Sequence, residues 1–342
     1  MISRKQLLEH AKNQGASDIH ICAGAPILFR AGGRLVPVTK EILTPEQSKE
    51  LTFAFLTEEQ KLQFKEKLDY DLMLAEESGR YRINIGYFDG QVGATIRILP
   101  TRPRTIKELF LPDVVRELAN KRKGLVLITG STSQGKTTTM AAMIDEINTN
   151  CEKHVVTIED PIEYVHTNKT GVVRQREVGR DTASFYSGLR AALRQDPDVI
   201  AIGEMRDYET IRIALTAAET GVLVISTLHV ISIDKILERL LSYAPATDED
   251  QLRFLLAESL QGAIHQELVP TLDGGRRVAC EVLVVTSAAK NIIRRRGSFF
   301  LRSVIETGKK HGMMTMEQTI GELLSKKLVS EGIAKSILAN YQ

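Results

Sequence analysis

The hydrophobic pattern divides the chain into two parts. In the first hundred residues, the helical spacing of Leu7, Leu8 and Ala11 is followed by short stretches in which apolar and polar residues alternate, as in half-buried strands. From about residue 124, continuous apolar stretches alternate with helical patterns, which is typical of strands covered on both faces of a parallel sheet. The pattern therefore predicts an α+β domain followed by an α/β domain.

Local signals sharpen the prediction for the first part. The stretch 18–21 and two stretches that flank Gly32-Gly33 are expected to be strands. Helices should begin after Thr44 and Thr57, since each threonine is followed three residues later by glutamine, the capping-box spacing. The alternating stretches on either side of Asp89-Gly90 predict a hairpin, because this dipeptide favours a tight turn between two strands.

The second part is predicted to be a doubly wound sheet. Its candidate strands are 125–128, 154–158, 199–202, 222–225 and 282–285. The proline-punctuated, basic segment before it indicates an exposed linker, and the chain becomes helical and charged after about residue 287. The predicted boundaries are thus a first domain at 1–99, a linker at 100–119, the α/β domain at 120–290 and a helical region at 291–342.

Composition excludes several function classes. With 45 Lys and Arg against 43 Asp and Glu, the net charge of +2 gives no overall attraction to nucleic acid. No apolar run approaches the roughly 20 residues that cross a bilayer, and the mixed N-terminus does not resemble a secretory signal, so we expect a cytoplasmic protein. The cysteines Cys22, Cys151 and Cys280 lack the paired spacing of a zinc site and are interpreted as small buried apolar residues.

One motif predicts a phosphate-binding loop. The run from Gly130 to Thr137 fits G-x-x-x-x-G-K-[ST] and lies between an apolar strand and a predicted helix at 138–147. Glycines let the main-chain N–H groups turn toward phosphate oxygens, and the helix N-terminus adds partial positive charge. Lys136 is expected to reach the β and γ phosphates of ATP, and the Thr137 hydroxyl to ligate Mg²⁺. The predicted nucleotide-binding residues are Gly130, Ser131, Thr132, Ser133, Gln134, Gly135, Lys136, Thr137 and Thr138.

Polar residues follow the other predicted strands where each one ends. In an open parallel sheet the ligand lies beyond the carboxyl ends of the strands, so these residues are expected to converge on the phosphate-binding loop. Glu163 and Glu204 are candidates for orienting or deprotonating water, and Glu204 is also a candidate ligand for Mg²⁺. Glu159 is a more distant alternative, and His229 ends a fourth strand. Which of Glu163 and Glu204 is the general base stays open.

These motifs together resemble one protein family. The segments that carry the likeness are 16–20, 157–164 (an acidic box), 194–207 (an atypical Walker B motif), 218–229 (a histidine box), 288–294 and 307–313. They are similar to the secretion ATPases of type II secretion and type IV pili. Within that group they most resemble the pilus retraction ATPases, and the absence of a tetracysteine zinc module argues against the extension and type II secretion enzymes.

The resemblance implies a fold and a function. It implies a PAS-like α+β N-terminal domain, a RecA-like P-loop ATPase domain with a helical C-terminal extension, and a homohexamer that hydrolyses ATP with Mg²⁺ to retract type IV pili in twitching motility. Arg82 and Arg97 match arginines that reach the nucleotide across a domain or subunit boundary, and His229 matches a residue that senses nucleotide state. The implied partners are an inner-membrane pilus platform protein, through which the motor associates peripherally with the membrane, and other pilus ATPases; nucleic acid is not expected.

The sequence departs from the family pattern at a few positions. Ser133 and Gln134 stand where the family usually has Gly-Ser, and Val222 replaces a second histidine. The run 294–296 is more basic than usual and is interpreted as a solvated helix face. Three alternatives therefore stay open: a related extension or secretion ATPase, a nucleotide-binding assembly factor with weak hydrolysis, and a ring translocase on DNA.

Overall fold

The chain forms two compact units, Met1–Thr101 and Arg102–Gln342, in a computed structural model. The structure describes residues 2–100, 102–295, 297, 300–339 and 341, so that Arg296 of the basic run lies outside the described residues. Within those ranges, no helix combines the length and the apolar character that a membrane span requires.

The first unit is an antiparallel sheet with three helices. The helices are α1 (Arg4–Asn13), α2 (Pro45–Phe53) and α3 (Glu58–Lys67), and the strands are β1 (Asp18–Ile21), β2 (Leu28–Ala31), β3 (Arg34–Pro37), β4 (Asp69–Glu76), β5 (Gly79–Phe88) and β6 (Gln91–Leu99). The three helices begin at capping boxes on Ser3, Thr44 and Thr57, the last two as predicted. The sheet order is β3-β2-β1-β6-β5-β4, in which β4 was not predicted.

The second unit contains a seven-stranded sheet. Its strands are β7 (Gly124–Thr129), β8 (His154–Glu159), β9 (Val172–Glu177), β10 (Val199–Ile202), β11 (Leu223–Leu228), β12 (Leu260–Pro270) and β13 (Arg276–Val284). They lie in the order β13-β12-β7-β11-β10-β8-β9, and all neighbours pair in parallel except β12 and β13.

Helices cover both faces of this sheet. Alternate residues of β7 lie in two different hydrophobic clusters: Leu125 and Leu127 in one, Val126 and Ile128 in the other. The helices are α4 (Asp113–Ala119), α5 (Lys136–Asn150), α6 (Phe185–Ala192), α7 (Tyr208–Thr220), α8 (Lys235–Leu241), α9 (Glu249–Ser259), α10 (Ser287–Arg294), α11 (Leu301–Thr307), α12 (Met316–Ser325) and α13 (Glu331–Leu338), with a 3₁₀ turn at Lys309–His311. The predicted α/β architecture with a helical C-terminal region is therefore confirmed.

Several details differ from the predictions. The strand expected at 282–285 is the end of β13, which runs antiparallel at the edge of the sheet, and the parallel strands β9 and β12 were not predicted. The stretch 100–119 is not an exposed linker throughout, because Ile106, Val115 and Leu118 are buried in a core of the second unit. Of the three cysteines only Cys280 is buried; the other two are half-buried.

Candidate nucleotide site

The loop that follows β7 has the backbone conformation of an anion-binding turn. Gly130, Ser133 and Gly135 all have positive φ angles, of 144°, 64° and 83°. A Cβ at Gly130 would meet the main-chain oxygen of Gln266 at 2.6 Å, so that only glycine fits there. Helix α5 begins at Lys136 immediately after this turn, so the free N–H groups of its first turn follow directly on those of the loop.

Lys136 is buried inside this loop, with only 7% of its surface exposed. Its Nζ donates hydrogen bonds to the main-chain oxygens of Gly130 and Ser131, at 2.8 and 2.7 Å. The same Nζ lies 3.3 Å from His229 Nδ1. Burial lowers the pKa of Lys136, and the nearby carboxylate of Glu204 opposes that shift. The ammonium group is therefore held among loop oxygens, where it would exchange these partners for phosphate.

Glu204 and His229 come together at the ends of β10 and β11. His229 Nε2 lies 3.6 Å from a carboxylate oxygen of Glu204, and Arg206 forms an ion pair with the other oxygen. Burial, followed by the charge of Lys136, lowers the pKa of His229, so its imidazole is neutral at pH 7. Because a lysine ammonium can only donate, the neutral His229 Nδ1 is the acceptor. Sequence reasoning missed Arg206, although it stands two residues after the predicted glutamate.

The acidic segment after β8 contacts the first turn of α5. The hydroxyl oxygens of Tyr164 and Thr138 lie 2.9 Å apart, which brings the neighbouring half-buried Glu163 to the same end of the sheet. Glu159 has a structural environment instead: its buried carboxylate accepts hydrogen bonds from Thr157 Oγ1 at 2.6 Å and Gln175 Nε2 at 3.0 Å. Tyr164 was not singled out from the sequence, since a tyrosine after a strand carries no motif of its own.

Arg82 and Arg97 lie in the first unit. They are register partners on β5 and β6, and both are exposed. Arg97 Nε donates a 3.0 Å hydrogen bond to Asp18 Oδ1, and 64% of the arginine side chain remains exposed. Both guanidinium groups are thus on the surface of their own unit, and their contact with a nucleotide stays a prediction.

The predicted ligands suit a Mg²⁺ ion that is bound jointly by the protein and by the phosphates of the substrate. Among the residues that the structure describes, no cluster of three or more His, Cys, Asp or Glu side chains could hold a metal by itself. Magnesium usually keeps waters and takes one or two protein oxygens plus substrate phosphates, so the half-buried Thr137 hydroxyl and the Glu204 carboxylate are a suitable donor set.

The chain is similar to known proteins over nearly its whole length. The family described as "Type II/IV secretion system protein" matches residues 1–327. The type IV pilus retraction ATPase PilT of Pseudomonas aeruginosa is 41% identical over 96% of each chain. The type IV pilus ATPase PilU of the same organism is 39% identical over 94% of this chain and 85% of its own.

A solved structure confirms the fold. The crystal structure of the pilus retraction motor PilT with bound ADP has a TM-score of 0.90 and 40% sequence identity, and covers 98% of this chain and 97% of its own. The expected N-terminal domain and RecA-like ATPase domain are therefore both present. By its sequence and by its fold, the chain belongs to the type II/IV secretion system protein family.

Proposed function

We propose that this protein is an ATP-hydrolysing motor that powers the retraction of type IV pili. The observation that carries the proposal is Lys136, whose ammonium group is buried in a glycine loop at the start of α5 and faces His229 and Glu204. The ADP bound to the similar motor PilT supports ATP as the nucleotide. The similarity to the P. aeruginosa retraction ATPase extends over 96% of each chain, which supports pilus retraction as the process that this ATPase drives.

In this proposal, different residues of the second unit bind the phosphates, bind the metal ion and activate the attacking water. Main-chain N–H groups of the loop and Lys136 hold the β and γ phosphates. Thr137 and Glu204 would hold Mg²⁺, and the ion would supply positive charge to neutralise the phosphates. Glu204 or Glu163 orients and deprotonates the attacking water. His229 contacts both Lys136 and Glu204, so it senses whether the lysine is bound to phosphate or to the loop.

The remaining charge stabilisation comes from the first unit. In-line attack leaves negative charge on the γ-phosphoryl oxygens, and a guanidinium that is delivered from outside the ATPase unit stabilises it. Arg82 and Arg97 are exposed on their sheet and are available for this role. Delivery across a subunit boundary requires a ring, and we propose the homohexamer that the family resemblance implies. The ring would act in the cytoplasm on an inner-membrane pilus platform protein.

Turnover of ATP by the purified protein tests the enzyme. Mg²⁺-dependent phosphate release should be abolished by Lys136→Ala and by Glu204→Ala, whereas turnover that survives both substitutions would refute this site. A wild-type protein that binds ATP but never releases phosphate would instead be an assembly factor. DNA binding at low salt would favour a translocase.

A deletion strain tests the biological direction of the motor. Excess surface pili together with lost twitching motility is the result expected for a retraction motor. Loss of pili would identify an extension motor, and unchanged pili with impaired protein secretion would identify a secretion ATPase.

A further inference from the structure

Strand β12 extends beyond its neighbour at the phosphate-binding loop. The parallel pairing of β7 with β12 ends where Thr129 stands opposite His265, but β12 continues to Pro270. From Gln266 onward, no strand among the described residues pairs with one edge of β12, while its other edge stays paired with β13. A main-chain N–H on such an edge needs another acceptor, because a buried unpaired donor is unfavourable.

The side chain and main chain of Gln134 supply partners on this edge. Leu268 donates its main-chain N–H to Gln134 Oε1 at 2.6 Å. Gln266, which is buried, donates its side-chain Nε2 to the main-chain oxygen of Gln134 at 2.6 Å. The Leu268 bond satisfies a main-chain donor on the open edge of β12, as a further residue of β7 would have done. The Gln266 bond attaches the same loop residue through a side chain two positions earlier on the strand.

The neighbouring residues show why the loop needs such an attachment. Ser133, just before Gln134, has a φ of 64°, in the left-handed region that a residue with a Cβ disfavours. On the other side, a Cβ on Gly135 would lie 3.3 Å from Gln266 Nε2. The loop thus lies against β12, and its least favourable backbone angle is directly beside the attached residue.

We propose that Gln134 is a positioning residue of the phosphate-binding loop, which fastens the loop to Gln266 and Leu268 of β12 and so holds Ser133 in the conformation that phosphate binding requires. The inference rests on the proposed ATPase function. It accounts for a serine in the left-handed conformation at position 133: the hydrogen bonds of Gln134 replace the conformational freedom that glycine would give there.

The substitution Gln134→Met tests this role, since methionine has a similar length but no carbonyl acceptor. In the nucleotide-free protein, hydrogen exchange should become faster in the β12 peptide that contains Leu268, because its N–H loses its acceptor. The KM for ATP should rise about tenfold, the effect of one hydrogen bond that leaves a partner unpaired, while kcat changes by less than about threefold. Adding Ser133→Gly to Gln134→Met should recover part of the KM, because glycine adopts the left-handed conformation without a partner.

A matched control is Gln251→Met, which changes an exposed glutamine on α9 of the same unit and should leave both exchange and kinetics unchanged. Unchanged exchange at Leu268, or a KM equal to that of the wild type, would overturn the inference. A lower kcat at constant KM, which the added Ser133→Gly substitution does not restore, would also overturn the inference, because it would indicate a purely structural role. A wild-type protein without ATP turnover would contradict the proposed function, and the exchange result would still decide whether Gln134 holds the loop.

Discussion

The two units present their candidate catalytic cations in opposite ways. Lys136 in the second unit is 7% exposed and is held by two loop oxygens, with His229 close by. Arg82 and Arg97 in the first unit are exposed on one sheet, and the polar contact of Arg97 is with Asp18 of its own unit. A buried lysine is positioned before any nucleotide arrives, whereas an exposed arginine loses little hydration and little freedom until it meets a phosphate.

This difference separates binding from catalysis. In the proposed mechanism the phosphate-binding loop and Lys136 of the second unit hold the triphosphate, so this unit should bind nucleotide whether or not the arginines are present. In the same proposal the arginines act on charge that develops on the γ-phosphoryl group during hydrolysis, so they should affect the rate of hydrolysis more than the affinity. The following predictions test that separation, from the largest effect to the smallest.

Lys136→Ala should lower kcat/KM by at least about 10³-fold, because it removes the positive charge at the β and γ phosphates. Steady-state phosphate release measures the effect. The control is Lys326→Ala, an exposed lysine on the C-terminal region, which should retain wild-type turnover. Comparable activity in the two variants would mean that the loop does not bind the reacting phosphates.

Arg82→Ala and Arg97→Ala should each lower kcat by about 10³-fold, the lower end of the range for an arginine finger. Single-turnover hydrolysis separates this effect from nucleotide release. Arg34→Ala, which removes an exposed arginine from β3 of the same sheet, should have no such effect. A loss confined to KM would show that the arginines bind the ground state and would remove the contrast between the units.

His229→Gln should lower kcat about tenfold and leave the KM for ATP within a few-fold, because the amide keeps one polar contact but cannot touch Lys136 and Glu204 together. Since burial lowers the pKa of His229, wild-type activity should not depend on its titration above pH 7. Pre-steady-state kinetics at pH 7 and pH 8 measures both quantities, and a KM increase larger than the loss in kcat would contradict a sensing role.

The smallest predicted effect concerns the stability of the second unit. Burial lowers the pKa of His166 and of His265, both in the second unit, to about 4. A lowered histidine pKa contributes stability above pH 6.5 that is lost as the pH falls toward 4, about 2 kcal/mol for each histidine at pH 5. Glu281 opposes this trend: burial raises its pKa to about 7, so the stability it contributes at low pH is lost as the pH rises through 7.

The two histidines outweigh the single glutamate, so the second unit should be destabilised by about 1–2 kcal/mol between pH 7.5 and pH 5. Hydrogen exchange, corrected for intrinsic rates, should report this loss in peptides of the second unit. His166→Leu should reduce the pH dependence. Greater stability at pH 5 than at pH 7.5 would show that the histidines do not control it.

The sequence predicts the residues of the loop better than their neighbours in space. Gly130, Lys136 and Thr137 are identified by spacing alone, since the loop must bend, carry charge and begin a helix within eight residues. Capping boxes at Thr44 and Thr57 are local as well, and both helices begin there. Short-range physics determines these features, so that a single sequence is enough to predict them.

Contacts between distant segments could not be predicted in this way. Strand β12 contains a glycine, a histidine and a glutamine within a few residues. These residues interrupt the continuous apolar pattern of a buried parallel strand, so its pairing with β7 was not predicted. The bonds from Gln266 and Leu268 to Gln134 join residues more than 130 positions apart. Neither an alternating pattern nor a motif specifies such pairs, because they depend on the register of the completed sheet.

Calorimetric titration with a slowly hydrolysed ATP analogue and Mg²⁺ tests the central claim most directly. We expect the wild-type protein and the Arg97→Ala variant to bind with dissociation constants within a few-fold of each other, and the Lys136→Ala variant to give no measurable heat. A wild-type dissociation constant in the Lys136→Ala variant, or loss of nucleotide binding in the Arg97→Ala variant alone, would contradict the claim that the second unit binds the triphosphate by itself.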